Sequence, residues 1–147
     1  MQRYVDADHI QEMVTAKQLE CLASSVAELA EDYLVRSFPL SSGGTIIDWK
    51  EIPHSMQNWS EVSDEIAADW SLSTLAGRCP EGLLLYSPDE PCLIGAFEFM
   101  LKHLDELVWK APGCRILFGV ARQPTGEIEF TRGIVEFNGR GELFATT

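Results

Sequence analysis

Cations are scarce in this chain. Only 11 Lys and Arg stand against 23 Asp and Glu, for a formal net charge of −12. A field of that sign repels nucleic-acid phosphates and anionic membrane surfaces, so neither is expected as a partner. Long apolar runs are missing too. The longest cluster, Leu93 to Met100, is interrupted by Glu98, and a membrane span needs ~18 apolar residues. Residues 1–30 hold no basic segment followed by an apolar one, so we expect no secretory signal and a cytoplasmic setting. The four cysteines, Cys21, Cys79, Cys92 and Cys114, contain no close pair. In a reducing cytosol such residues are ordinarily small buried hydrophobes, and we expect all four as free thiols. Cys79, Cys92, His103 and Cys114 are separated by 13, 11 and 11 positions, without the short pairing of a structural zinc site. Neither a metal nor another cofactor is expected.

Catalytic signatures are also lacking. There is no G-x-S-x-G, no phosphate-binding glycine loop and no H-E-x-x-H, the spacings that would position a nucleophile, a phosphate or a zinc ion. His9, His54 and His103 are scattered. His103 and Glu106 share a helix face, which predicts a solvated i,i+3 pair and not an acid–base couple. The strand Thr131–Phe137 lacks the stacking aromatics of an RNA-recognition strand. We expect no enzymatic activity. An enzyme whose site assembles from scattered residues, such as Cys79 or His103 in a cleft, is the alternative.

What is present is a globular composition. Hydrophobic residues make up 46% and charged residues 23% of 147 positions, which predicts one ordered domain spanning 1–147. The front reads as helical. Asp8 with Gln11 fits a capping box, Thr15 and Gln18 offer a second start that would leave residues 8–14 as a separate turn, and Leu19, Leu22, Val26, Leu29 and Tyr33 trace one apolar stripe. Phe38-Pro39 closes it, and Thr45-Ile46-Ile47 predicts a short strand. Leu83–Tyr86 reads as a buried strand. Ser87-Pro-Asp-Glu90 reads as a capping box opening a central helix that carries Leu93, Phe97, Met100, Leu104 and Leu107, with a start one turn later at Pro91 fitting equally well; Ala111-Pro-Gly113 ends it. The strand–helix–strand passage from Leu83 to Ala121 predicts a right-handed crossover. Residues 114–147 alternate as a meander, with turns at Pro124–Gly126 and Asn138-Gly139 and a bulge at Gly133. The expected class is α+β: helices packed on one face of a small, mainly antiparallel sheet with a C-terminal β-meander.

Residues 48–70 concentrate three of the four tryptophans and six of the 23 acids. Asn58 or Ser60 can cap a helix here. At 100° per residue from Glu61, Trp59, Val62, Ile66 and Trp70 fall between about 100° and 180°. Glu61, Asp64, Glu65 and Asp69 occupy the arc from about 300° through zero to about 80°. That pattern predicts a core-facing apolar stripe, burial of Trp59 and Trp70 and an exposed acidic face, with the helix bending or ending near Trp70; Trp49 is off this helix and is left undecided. Asp48 and Glu51 extend the same surface. Nineteen acids against seven bases lie in residues 1–110 and four against four in 111–147, so the excess charge belongs to the part of the chain that carries this face.

In size, acidity and lack of catalytic equipment the chain resembles the small immunity proteins that bacteria keep against secreted toxins. The resemblance is one of profile and rests on no family motif. It implies a non-catalytic inhibitor of a basic, nuclease-like toxin domain, and carries over no residue; the acids read above, Asp48, Glu51, Glu61, Asp64, Glu65 and Asp69, are the expected partner-binding groups. A secretion chaperone, another small acidic α+β class, is the alternative binding role, with the Leu19-to-Tyr33 stripe as its dimer surface.

Overall fold

The fold is described by a computed structural model covering residues 3–58, 61, 63–108 and 114–147. Among the described residues the elements are α1 (Asp8–Thr15), β1 (Leu19–Leu22), α2 (Ser24–Ser37), β2 (His54–Asn58), α3 (Asp64–Leu72), β3 (Glu81–Leu85), β4 (Cys92–Ala96), α4 (Phe97–Lys102), α5 (Leu104–Val108), β5 (Arg115–Arg122), β6 (Ile128–Phe137) and β7 (Glu142–Thr146). The seven strands form one sheet in the order β1-β4-β3-β5-β6-β7-β2, and every pairing is antiparallel. The α+β class and the C-terminal meander are as expected.

Alternation along the strands divides the core in two. Leu84, Leu93, Leu117, Val135 and Leu143 point to one face, where Ile10 and Met13 of α1, Phe97 and Met100 of α4, and Leu104 and Leu107 of α5 cover them. Leu83, Leu85, Ile94, Ile116, Phe118 and Ile134 point to the other, where α2 lies with Phe38, Ile47 and Trp49. Most helices share one face; α2 takes the opposite one.

Several local expectations give way to long-range pairing. The Leu19-to-Tyr33 stripe is split, because Leu19–Leu22 leaves the helical pattern to pair with Cys92–Gly95 at the sheet edge. The helix that follows buries Ala27, Ala30 and Leu34, while Leu29 is 59% exposed. Small alanines let α2 approach the sheet closely, and Tyr33 stacks on Phe130 with ring centroids 5.3 Å apart. Gln11 donates to the Val5 carbonyl at 2.6 Å instead of completing a box with Asp8. Likewise Ser87–Glu90 closes a hairpin: the Glu90 N–H donates to the Ser87 carbonyl and the Asp89 N–H to the Ser87 hydroxyl, both at 3.2 Å. The same short-range hydrogen-bonding capacity that caps a helix also makes a turn. β4 therefore returns beside β3, and no crossover exists between β3 and β5, which pair antiparallel. The expected helix begins only at Phe97, and its anticipated end at Ala111–Gly113 lies outside the described residues. Thr45–Ile47 contributes a single bridge, Ile47 to Leu40, and not a strand.

The meander matches its turn chemistry. Gly126 and Gly139 adopt φ of 90° and 82°, conformations that glycine enters without a side-chain penalty. The β5–β6 register shifts between the pairs Phe118–Ile134 and Val120–Phe130, placing the irregularity at Thr131–Gly133. Here the helical turn Ala76–Arg78 lies directly on the strands. A Cβ on Gly133 would stand 2.4 Å from the Ala76 nitrogen, and one on Gly119 would stand 2.9 Å from the Ala76 Cα.

Candidate partner-binding surface

The segment from Asp48 to Leu72 builds one border of the sheet. Its foundation is a buried carboxylate. Glu136, fully buried on β6, accepts the Ile46 N–H at 2.7 Å, the Ile47 N–H at 3.0 Å and the Trp49 indole N–H at 3.0 Å. A carboxylate in apolar surroundings is tolerated only when its oxygens are hydrogen-bonded. Here three donors from one loop meet that need, and the loop is pinned in return. Trp49 is consequently buried, and it stacks on Phe144 at 5.8 Å.

Past this anchor, Asp48 is half-buried and Glu51 exposed, at either end of the helical turn that leads into β2. Asp48, Trp49, Lys50, His54 and Phe144 line an open recess of about 580 Å³, bordered on its other side by residues 40–43 and Thr45. β2 is the outermost strand and pairs with β7 over five consecutive positions, His54–Thr146 through Asn58–Glu142, without a bulge.

The helix α3 follows. Its cap is Ser63, whose hydroxyl accepts the Ile66 N–H at 3.3 Å, and not Asn58 or Ser60. Trp59 and Val62, expected on the core stripe, lie outside the described residues. Trp70 is only half-buried. Its indole edge packs against the first core cluster and its N–H donates to the Ser55 hydroxyl of β2 at 3.0 Å. Ile66, expected to be core, is 50% exposed, and Leu72 is 65% exposed. The stripe is thus a partial one: Trp70 meets the core and β2, while Ile66 and Leu72 face solvent.

The acids stand where an exposed face requires. Glu61, Glu65 and Asp69 are exposed, four residues apart in sequence. Asp64 opens the helix, and its side chain is outside the description. No salt bridge among the described residues engages Asp48, Glu51, Glu61, Glu65 or Asp69. Elsewhere cations are spent on other carboxylates: Arg3 on Asp6, and Arg122 on both Glu20 and Glu81. Like charges four apart on a helix repel, and an acid in the last turn opposes the helix dipole. Asp69 does both, and α3 has no base in its last turn.

The other candidate groups are dispersed. His103 Nδ1 and Glu106 Oε1 meet at 3.0 Å as an exposed i,i+3 pair, as expected. Cys92 is fully buried among apolar side chains, which pushes its thiol up to about 11. Cys79 contacts the Leu75 carbonyl and Thr131 hydroxyl, Cys114 lies near the Gly44 carbonyl, and Cys21 is exposed. Among the described residues no three His, Cys, Asp or Glu side chains gather in a metal-binding arrangement. Among the same residues no helix is long and apolar enough to cross a membrane.

Glu136 and the edge strand β2 are the parts of this surface that the sequence does not reveal. His-Ser-Met-Gln-Asn has no apolar alternation, and Glu136 reads as one more polar position on a strand. No protein-family model matches the chain, and no curated protein matches it.

Proposed function

We propose that the chain is a non-catalytic protein-binding inhibitor, an immunity protein that neutralises a basic, nuclease-like toxin domain through the surface formed by Asp48–Glu51, β2 and α3. The observation that carries this reading is the state of α3. It holds exposed Glu65 and Asp69 without cationic partners among the described residues, beside Ile66 and Leu72 at half exposure or more. Such a face stabilises the free fold little and suits a complementary one. Unpaired carboxylates speed encounter with a basic surface and select against acidic ones, and adjacent apolar groups add area that binding removes from water. Asp48, beside the pinned Trp49, adds a half-buried carboxylate to the lining of the recess.

The test is capture of the partner with tagged protein, followed by association kinetics at two salt concentrations. Reversing Glu65 to lysine is expected to slow association by about tenfold or less and to flatten its dependence on salt. A captured partner whose association is indifferent to both salt and this reversal would remove the acidic face from the account.

A further inference from the structure

Resting on the reading just given, the structure points to a specific mode of engagement: we propose that β2 receives a basic β-strand of the partner, which extends the sheet by one strand. β2 and β1 are the two edges of the sheet. Exposed edges invite pairing with other chains, and soluble proteins ordinarily blunt them with charge, proline or a bulge. β1 is short and carries Glu20, tied at 3.1 Å to Arg122. Within its own five residues β2 has none of these devices, although Pro53 stands immediately before it. Its five residues include no Lys, Asp, Glu or Pro, and their register with β7 is unbroken. Among the described residues no backbone hydrogen bond reaches the outer side of His54–Gln57. Met56, at the middle of the strand, is 52% exposed.

The charges around the strand select its occupant. Glu51 lies five residues before Met56 and Glu61 five after it, both exposed. A second copy laid along β2 would bring a second set of these exposed carboxylates, and a second net charge of −12, towards the same edge. Like charges placed opposite one another destabilise a strand pair. A strand with lysine or arginine at its ends meets these same carboxylates favourably. The flanking acids thus guard the edge against self-pairing while admitting a basic strand. Main-chain hydrogen bonds then supply affinity and the end charges supply specificity.

A short synthetic peptide, alternating valine and threonine with lysine at both ends, is the probe. Three companions accompany it: the same peptide N-methylated along one edge, the same with glutamate replacing lysine, and the protein itself at high concentration. The lysine peptide is expected to bind and to slow amide exchange at His54–Asn58. Methylation, which keeps the charge and removes the donors of one edge, is expected to weaken binding by about tenfold or more, since two or three hydrogen bonds are lost. Met56→Lys is expected to abolish binding without unfolding, because the side chain is half-exposed. Equal binding of methylated and unmethylated peptides would overturn strand addition and leave the acidic face intact as a charge-only surface. Failure of the lysine peptide to bind would overturn strand addition as well, and the Glu65 reversal judges the acidic face separately. Equal binding of the glutamate peptide, or a dimer that protects the same amides, would overturn the charge selection.

Discussion

Replacing Glu136 by glutamine probes the anchor of the whole surface. The two side chains have nearly the same shape, so the change alters hydrogen bonding and charge without opening a cavity. In the native chain Oε1 accepts from both the Ile47 N–H and the Trp49 indole, and Oε2 accepts from the Ile46 N–H. A carboxamide has one acceptor oxygen. If that oxygen keeps Ile47 and Trp49, the amide nitrogen faces the Ile46 N–H, donor against donor. A hydrogen bond to a charged group contributes about 1.5–3 kcal/mol, and a stranded buried donor costs about 1–3 kcal/mol. Part of this overlaps, and charge removal lowers the desolvation cost, so a net loss of about 2–4 kcal/mol is expected. Urea unfolding monitored by tryptophan emission measures it. Trp49→Phe keeps the ring on Phe144 and removes one donor, with an expected loss of about 1–2 kcal/mol. The two substitutions share one hydrogen bond, so their combined loss is expected to fall short of the sum. Wild-type stability in Glu136→Gln, within about 0.5 kcal/mol, would refute the claim that this carboxylate pins the Ile46–Trp49 loop.

Phe97→Ala is expected to cost about 3–5 kcal/mol, since Phe97 is buried between α4 and the sheet, and Trp70→Ala about half as much because Trp70 is half-exposed; equal losses in thermal or urea unfolding would contradict the burial difference. Of the four thiols, Cys21 is expected to react first with an alkylating reagent and Cys92 only on unfolding, because Cys92 is buried and its thiol is held up to about 11. Mass mapping of the modified sites at pH 8 decides the order. Gly133→Ala is expected to destabilise by about 1–3 kcal/mol, since its Cβ would meet the Ala76 backbone at 2.4 Å; an unchanged melting temperature would mean that the Ala76–Arg78 turn does not rest on the strand.

The parts legible in the sequence are those whose signal is local. The Asn138-Gly139 turn, the alternation of Ile116, Phe118 and Val120, and the stop at Phe38-Pro39 all depend on residues within a few positions. Where the reading fails, a distant partner decides. Leu93 and Ile94 are buried whether the segment is a helix or a strand, and only pairing with Leu84 and Leu83 makes it β4. Leu19 and Leu22 similarly fit a helical stripe until β4 lies beside them. Along α3 the acids were legible as an exposed face, but the stripe of Ile66 predicted a neighbour that covers it, and such a neighbour is a tertiary fact. Glu136 is the extreme case. Its role is set by Ile46, Ile47 and Trp49, some ninety residues earlier in the chain.

The most direct test of the account is to measure folding stability and partner association in the same variant, Asp69→Lys. Asp69 lies in the last turn of α3, four residues after Glu65. Lysine there replaces a repelling pair by a Glu–Lys pair of the favourable order and complements the helix dipole, so the free protein is expected to gain about 0.5–1.5 kcal/mol. If Asp69 is kept for binding, the same substitution must slow association with the captured partner, most strongly at low salt. Stability that rises while association slows is the predicted result. Stability that rises with association unchanged would contradict the assignment of α3 as the binding face.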